Sequence, residues 1–293
     1  MEYLNELKPG QSVALLKELH ILTRDGKMNQ DSRRKLKQVN HLVQFIEPLL
    51  DLVRATKPGV TLVDHGAGKS YLGFLLYDLC FKDRADASHI YGIETRAELV
   101  SKSQELAARL GFERMSFLNL SVAESASAGA LPAQVDIVTA LHACNTATDD
   151  AIHFALGRQA RCIVLVPCCQ AEVASVLKKN KNSMPVRDPI AELWRHPLHT
   201  REFGSQVTNV LRCLELEAHG YQVNVTELVG WEHSMKNELI IAVYKNLPRQ
   251  RPAERLQEML VTLGLEEMAG RFSPPALPPA LPGAVAPTPG AFA

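Results

Sequence analysis

Val60-Thr-Leu-Val-Asp-His-Gly-Ala-Gly68 is the stretch of sequence that decides the fold. Its first four residues are rich in β-branched side chains and predict a buried strand. The glycines that follow let the backbone turn tightly and approach a ligand closely. Residues 72–79 then predict a helix, so the stretch is typical of the strand, loop and helix that open a ligand-binding α/β domain.

Further strands and helices alternate after this unit, which predicts parallel βαβ units and a sheet covered on both faces. The helix at residues 97–110 ends at Gly111, a common C-terminal residue. Only eight residues separate the last two β-rich runs, too few for a crossover helix, so they predict an antiparallel hairpin. The further predicted strands are residues 89–93, 115–120, 135–141, 162–166, 221–229 and 238–244.

The flanks of this α/β domain differ from it in pattern. Apolar residues near the N-terminus recur every three or four positions, which predicts a helix that Pro48 either kinks or divides into two. The final 21 residues contain seven prolines and no charge, which is typical of a disordered tail. The predicted organisation is an N-terminal helical extension (1–55), the α/β domain (56–247), a C-terminal helix (248–272) and a Pro-rich tail (273–293).

Composition excludes several classes of protein. The chain has 293 residues, of which 46% are hydrophobic and 22% charged, as in ordinary globular proteins. Lys and Arg total 32, as do Asp and Glu, so a globally basic nucleic-acid coat is excluded and any basic surface must be local. No apolar run approaches the roughly 20 residues of a membrane span, and the N-terminus lacks a signal-peptide layout. The six cysteines form no secreted framework, which favours reduced thiols and a cytoplasmic location.

Three interpretations of the glycine loop at residues 63–70 compete. A nucleotide P-loop requires G-x-x-x-x-G-K-[ST], but Val63 stands where the first glycine is needed. A dinucleotide fingerprint requires G-x-G-x-x-G, but Tyr71 takes the place of the third glycine. The third interpretation is a loop for S-adenosyl-L-methionine (SAM), in which an acidic residue precedes spaced glycines.

The residue types suit the SAM interpretation. Asp64 offers a carboxylate to the cationic methionine end of SAM, while Gly66 and Gly68 let the backbone approach it. Glu94 ends the second predicted strand, where its carboxylate can accept hydrogen bonds from both ribose hydroxyls. Asn119, near the end of the third predicted strand, completes the cofactor-binding candidates.

Two further segments follow the fourth and fifth predicted strands, where ligands bind in an open α/β sheet. They read Leu141-His-Ala-Cys-Asn-Thr-Ala-Thr-Asp149 and Val166-Pro-Cys-Cys169. Their cysteines could instead be small buried hydrophobic residues, and no C-x-x-C spacing supports a zinc site, so no metal is predicted. The catalytic candidates are His142, Cys144, Asp149, Cys168 and Cys169.

The combination D-x-G-A-G-K-x-x-L-G, L-H-A-C-x-x-A-T-D and P-C-C resembles a group of class I SAM-dependent methyltransferase-like proteins. That group includes the methyltransferase half of a vertebrate protein with a glutathione S-transferase C-terminal domain. More distantly, the chain is similar to eukaryotic tRNA 2′-O-methyltransferases with H-L-C-G-x-A-T-D and Cys-Cys-His-His segments. The resemblance covers about residues 31–245 and implies a Rossmann-like class I methyltransferase fold, with a mostly parallel seven-stranded sheet, and SAM as the cofactor.

The resemblance implies functional roles for the candidate residues named above. It places Asp64, Gly66 and Gly68 in the SAM loop and Glu94 at the ribose. The motif after the fourth strand matches His142, Cys144, Ala147, Thr148 and Asp149, and the pair after the fifth strand matches Cys168 and Cys169. Two positions depart from the tRNA enzymes: Asn145 stands in place of a glycine, and Gln170 in place of the first histidine after the cysteine pair.

The substrate prediction is RNA, either tRNA or rRNA. Local basic clusters could bind phosphates, although an ordinary solvated helix face gives the same pattern. If the acceptor is a hydroxyl, His142 or Asp149 would take its proton; a ring nitrogen needs no strong base. The alternatives are a protein or small-molecule methyltransferase, a non-catalytic SAM- or RNA-binding module, and a nicotinamide dehydrogenase. The basic residues are Arg24, Lys27, Arg33, Arg34, Lys35 and Lys37, then Lys178, Lys179, Lys181 and Arg187.

Overall fold

The protein is described by a computed structural model over residues 7–141, 143, 145–167, 170–180, 192–193, 195–228 and 238–273. Each predicted strand is present within these residues. The strands are β1 (Thr61–His65), β2 (His89–Glu94), β3 (Met115–Asn119), β4 (Ile137–Leu141), β5 (Cys162–Val166), β6 (Tyr221–Glu227) and β7 (Glu238–Tyr244).

These strands form one sheet in the order β3-β2-β1-β4-β5-β7-β6. The first five strands are parallel, whereas β7 is antiparallel to both β5 and β6. The Rossmann-like, mostly parallel seven-stranded sheet with a C-terminal antiparallel hairpin is therefore confirmed. β1 lies between β2 and β4, so the chain reverses its direction of travel across the sheet at β1.

Helices precede, connect and follow the strands. Between α3 and β2 the chain makes a π-helical turn over Tyr77–Phe81, and after α9 a 3₁₀ turn over Glu266–Arg271. The helices are α1 (Val13–Glu18), α2 (Gln30–Arg54), α3 (Tyr71–Leu76), α4 (Ala97–Leu110), α5 (Val122–Ser125), α6 (Thr146–Gly157), α7 (Glu172–Asn180), α8 (Pro197–Ala218) and α9 (Gln250–Thr262).

Both faces of the sheet are covered, as the alternation predicts. Side chains of α1 to α4, such as Phe74, pack on one face. Phe154 of α6 and Leu216 of α8 pack on the other. A third apolar cluster joins α7, α8 and α9, with Leu211 and Leu260 fully buried in it. This third cluster anchors the C-terminal helix to the rest of the domain.

α2 is one continuous helix that passes through Pro48. The alternative of two separate helices is therefore wrong. A proline inside a helix leaves the carbonyl four residues earlier without its N–H donor. Both Pro48 and Gln44 face solvent, so water can satisfy that carbonyl. The helix begins where the Asn29 side chain accepts a hydrogen bond from the Ser32 backbone N–H at 2.7 Å.

Two other helix boundaries follow local chemistry. α4 ends at Gly111, which has a φ of 67° in the left-handed region, as predicted. α8, which the sequence analysis missed, begins at Pro197 in its first turn, where the absent N–H costs nothing. Among the described residues, no helix is long and apolar enough to cross a bilayer. The Pro-rich tail from residue 274 onward lies outside the described residues.

We predict that Gly204→Ala destabilises the fold. An added Cβ would lie 2.7 Å from the backbone nitrogen of Ala174, where α8 crosses α7. Forced overpacking of this kind costs about 1–3 kcal/mol of unfolding free energy. The control is Gly157→Ala, whose Cβ would meet no described atom within 4 Å and which is expected to be neutral or mildly stabilising. Equal urea unfolding curves for the two variants would contradict the packing described here.

Candidate functional site

The candidate site is a cleft of about 340 Å³ beside the carboxyl end of β1, where the sheet reverses its winding order. Its volume is typical of a small-molecule site, which ranges from about 300 to 1,000 Å³. The last residues of β4 and β5, Leu141 and Val166, also line it. The position agrees with the rule that open α/β sheets bind ligands at the switch point.

The glycine loop forms the floor of the cleft. Gly66 and Gly68 both line it, with φ angles of 65° and 58° in the left-handed region that favours glycine. The Ala67 N–H donates to the Ile93 carbonyl at 3.0 Å, which fixes the loop to β2. A Cβ at Gly68 would lie 3.7 Å from the Arg96 guanidinium and 4.0 Å from the Glu94 carboxylate. A Cβ would fit at these distances, so the positive φ is what favours glycine at this turn.

Glu94 is the buried charged group that organises this end of the sheet. Its Oε2 accepts a hydrogen bond from the Gly68 backbone N–H at 2.8 Å. Its Oε1 accepts from the Arg96 backbone N–H at 3.0 Å and from the Arg96 Nε at 2.9 Å. The carboxylate thus joins the loop after β1 to the turn after β2. The Arg96 side chain is 61% exposed and also lines the cleft.

The electrostatic state of Glu94 follows from those contacts. Burial raises the pKa of its carboxyl, but hydrogen bonds from Arg96 and Gly68 outweigh burial and hold the pKa at about 2. The group is therefore an anion at neutral pH. An anionic carboxylate is a strong acceptor for hydroxyl donors.

Asp64 has the opposite electrostatic state. It is 3% exposed and its Oδ1 accepts a hydrogen bond from the Thr139 hydroxyl at 2.6 Å. Burial raises the pKa of this carboxyl to about 7, and the Thr139 hydrogen bond opposes only part of the rise. β1 and β4 bring the two residues together, because Asp64 and Thr139 are register partners. A cationic group in the cleft would favour the ionised carboxylate.

Asn119 lies beside the turn after β2. Its side-chain amide donates to the carbonyl of Glu94 at 3.0 Å and to the carbonyl of Thr95 at 2.8 Å. These bonds hold the backbone that presents the Glu94 carboxylate. In the described contacts the Asn119 side chain supports Glu94, and its role as a direct cofactor ligand stays a prediction.

The sequence analysis missed one wall of the cleft. The N-terminal half of α2 supplies this wall, together with Ile21 from the segment before it. Lys35 is exposed at its edge, whereas Ile21 is 2% exposed. The N-terminal helices therefore belong to the site. The wall residues are Ile21, Lys35, Gln38, Val39 and Leu42.

Asp149 is held by two arginines. On α6 it is 2% exposed; its Oδ1 accepts from the Arg212 Nε at 2.6 Å and its Oδ2 from the Arg271 Nε at 2.5 Å. Both carboxylate oxygens are thus engaged, and Asp149 does not line the cleft with Asp64 and Gly66. As a general base it would first have to leave these ion pairs, so the geometry favours a structural role.

The other catalytic candidates, His142, Cys144, Cys168 and Cys169, lie outside the described residues. Of the basic clusters, Lys178 and Lys179 are exposed on α7, and Lys179 pairs with Glu267 at 3.2 Å. Lys181 and Arg187 are also outside the described residues. The sequence analysis missed Arg212, although the apolar spacing of Val207, Leu211 and Leu214 could have indicated its helix.

Comparison with known proteins finds similarity to methyltransferase domains. A family described as a methyltransferase domain matches residues 34–176. The glutathione S-transferase C-terminal domain-containing protein of Bos taurus is 25% identical over 245 residues, and that of Homo sapiens 25% identical over 239 residues. In both cases the match covers 75% of this chain and 35% of the relative. The chain therefore spans about a third of the length of these relatives.

Solved structures also align with the chain. Magnesium protoporphyrin IX methyltransferase from Synechocystis PCC 6803 with bound S-adenosylhomocysteine has a TM-score of 0.45 at 18% identity and covers 83% of this chain and 96% of that one. An rRNA methylase from Streptococcus thermophilus has a TM-score of 0.43 at 10% identity, with 70% and 96% covered.

We predict that Asp64→Asn changes how stability depends on pH. The pKa of Asp64 rises from about 3.9 unfolded to about 7 in the fold. Its contribution to stability is thus complete below about pH 4 and is lost as pH rises to about 7. Urea unfolding at pH 5, 6 and 7 should therefore show Asp64→Asn gaining on the wild type by up to about 1.4 kcal/mol per pH unit.

The exposed residue Asp83 provides the matched control for this measurement. Asp83→Asn should follow the wild type at every pH. A stability difference between Asp64→Asn and the wild type that stays constant from pH 5 to 7 would contradict the raised pKa.

Proposed function

We propose that this chain, whose residues 34–176 form a SAM-dependent methyltransferase domain, methylates RNA with SAM held in the cleft between the glycine loop and α2. One observation supports the proposal above the others. Asp64, the Gly66–Gly68 turn and Lys35 of α2 line the same cleft, and the anionic Glu94 adjoins it through its hydrogen bond from the Gly68 N–H. The cofactor and a polyanionic substrate would therefore meet at one place.

The described residues fit SAM. Glu94 is ionised and accepts a hydrogen bond from the Gly68 N–H of the glycine loop, and an anionic carboxylate at this place suits two ribose hydroxyls. Asp64 lines the same cleft and would carry its negative charge when a cationic methionine group lies beside it. Gln38, Val39 and Leu42 provide a partly apolar wall opposite the loop.

SAM supplies an electrophilic methyl group on a sulfonium centre. The chain then has to hold the acceptor in line with that group and exclude water. Asp149 is engaged by Arg212 and Arg271. If the acceptor is a hydroxyl, the proton would therefore pass to His142, the other base candidate. A ring nitrogen with a free lone pair would need only orientation.

The charge at the cleft mouth supports an RNA substrate. Lys35 lines the cleft, and Arg24, Lys27 and Lys37 are exposed along or just before the same helix. Lys35 also pairs with Asp31 at 2.7 Å, so part of its charge is neutralised locally. Phosphate groups bind such clusters mainly through charge and the release of counterions. A neutral protein can therefore hold RNA on this one face.

The thiols are consistent with a reducing, cytoplasmic location. Cys80, Cys162 and Cys213 are free, and burial raises the pKa of each thiol. Thiols of this kind stay protonated and unreactive at neutral pH.

We predict that Glu94→Gln weakens SAM binding. The amide removes the charge that strengthens bonds to the ribose hydroxyls, which are worth about 1.5–3 kcal/mol each. Calorimetry should show a loss of affinity of at least about tenfold. The control is Glu98→Gln, an exposed residue at the start of α4. SAM affinity unchanged in Glu94→Gln, or reduced equally in Glu98→Gln, would reject the cofactor site.

We predict that RNA binding depends on the basic N-terminal part of α2. Bulk tRNA binding, measured by fluorescence anisotropy from 50 to 200 mM salt, should weaken steeply. Lys27→Gln with Lys37→Gln should reduce the slope of log affinity against log salt by about one per lost phosphate contact. The control is Arg251→Gln with Arg255→Gln on α9, which removes the same charge elsewhere.

The matching transfer assay uses SAM labelled on the methyl carbon, incubated with cellular RNA and protein fractions. Label should enter RNA and should fall in the α2 double variant but not in the α9 double variant. Label in the protein fraction alone, or a salt-independent tRNA affinity, would overturn the RNA assignment.

A further inference from the structure

Two loops follow β4 and β5, whose last residues Leu141 and Val166 line the cleft. In the proposed function Glu94, at the carboxyl end of β2, binds the cofactor, so the acceptor would be placed by these loops on the β4 and β5 side. Their relative position must therefore be fixed for in-line transfer.

The Arg212 side chain of α8 forms hydrogen bonds with both loops. It is fully buried, at 0% exposure. Its Nε donates to the Asp149 Oδ1 at 2.6 Å and its Nη2 to the Asn145 carbonyl at 3.0 Å, both after β4. Its Nη1 donates to the Oε1 of Gln170, after β5. One planar guanidinium thus binds both loops with fixed geometry.

The β4 loop needs this support because its backbone is strained. Asn145 precedes α6 with φ 51° and ψ −125°, in the left-handed half of backbone space. A non-glycine residue there costs about 1–3 kcal/mol and persists only where its surroundings hold it. The Arg212 bond to the Asn145 carbonyl and the Thr148 hydroxyl bond to the Ala143 carbonyl, at 2.6 Å, provide that restraint.

The β5 loop is fixed through the same centre. The Gln170 side-chain amide donates to the Ser205 carbonyl at 2.9 Å and to the Asn209 Oδ1 at 2.8 Å. Asn209 in turn donates to the Glu238 carboxylate at 2.6 Å. Gln170 is 5% exposed and Arg212 takes up its amide oxygen. The polar groups of this network are satisfied together, so the loss of one leaves others unpaired.

The C-terminal 3₁₀ turn adds a second arginine, Arg271, to the network. Arg271 donates to the second oxygen of Asp149 at 2.5 Å and also binds Glu172 at the start of α7. Its side chain is 11% exposed. A segment outside residues 34–176 therefore contacts the first turns of both α6 and α7.

We propose that Arg212 is a positioning residue that sets the loops after β4 and β5 relative to each other for methyl transfer; the methyl-transfer part of this inference rests on the proposed function. A buried ion pair is often no more stabilising than apolar residues of the same shape. Arg212 instead restrains the strained Asn145 and contacts two loops at once. The network therefore fixes the relative position of the loops, on which the rate of methyl transfer depends.

The experiment compares three variants with one control. Arg212→Met removes the bridge, and Arg212→Lys keeps the charge but loses the planar fork. Gln170→Met removes only the β5 half and preserves the Arg212–Asp149 pair, so it tests the proposal even if Arg212→Met fails to fold. The control Arg158→Met removes an arginine that binds the Pro132 carbonyl at 2.8 Å, beyond the far end of α6.

The first measurement is hydrogen–deuterium exchange without cofactor. In Arg212→Met, amides of residues 145–149 and 170–176 should exchange at least tenfold faster, whereas in Gln170→Met only those of residues 170–176 should; residues 61–66 and 89–94 stay unchanged in both. Arg212→Lys should fall between these variants and the wild type. The affinity for S-adenosylhomocysteine should change less than threefold throughout. Arg158→Met should leave both loop segments as in the wild type.

The second measurement is transfer of labelled methyl groups to RNA. A kcat at least tenfold lower, with the KM for SAM within threefold of the wild type, is expected for the two methionine variants. Unchanged loop exchange in folded variants, or equal effects in Arg158→Met, would overturn the positioning role. A wild-type chain that transfers no methyl group would instead overturn the proposed function, and loop exchange would still decide whether Arg212 restrains both loops.

Discussion

The Glu94 carboxylate is the interaction on which the rest of the site depends. It is anionic and buried, and it binds the Gly68 N–H of one loop and Arg96 of the next. A buried carboxylate is costly unless such donors satisfy it, so the glycine turn and the β2 end must form together. Asn119 adds support by binding the Glu94 and Thr95 carbonyls. These contacts join the glycine loop to the end of β2.

The two sides of the cleft have different physical bases. The β1–β2 side is fixed by one anion and local backbone donors. Both of its carboxylates are buried, but among the described side chains Asp64 accepts a bond only from Thr139 and its pKa rises, whereas bonds from Arg96 and Gly68 lower the pKa of Glu94. The β4–β5 side is fixed by a long-range network centred on Arg212. α2 covers the cleft between them and brings basic residues to its edge. This division suits a site that holds one small cofactor rigidly and admits a larger substrate.

Strand patterns were sufficient to predict the sheet, and the loop pattern singled out Asp64, Gly66 and Gly68, which the structure places in one cleft. Alternating β-rich runs predicted parallel strands, and the short final connection predicted an antiparallel hairpin. Glu94 and Gly68 became cofactor-binding candidates from their places after β2 and β1. The wall formed by α2 was missed because its apolar stripe and its basic face indicate only an amphipathic helix. The Arg212 network was missed because Asp149, Gln170 and Arg212 are far apart in sequence. Asp149 was assigned to chemistry by its motif, whereas its burial against two arginines is a tertiary property.

The proposed SAM site lies between Glu94, the glycine loop and α2. A crystal structure of the chain with S-adenosylhomocysteine is the direct test of this site. Density is expected in this cleft, with ribose hydroxyls within hydrogen-bond distance of the Glu94 carboxylate and the amino-acid end near Asp64. Density at any other place on the protein, with Glu94 still bound only to Gly68 and Arg96, would contradict it.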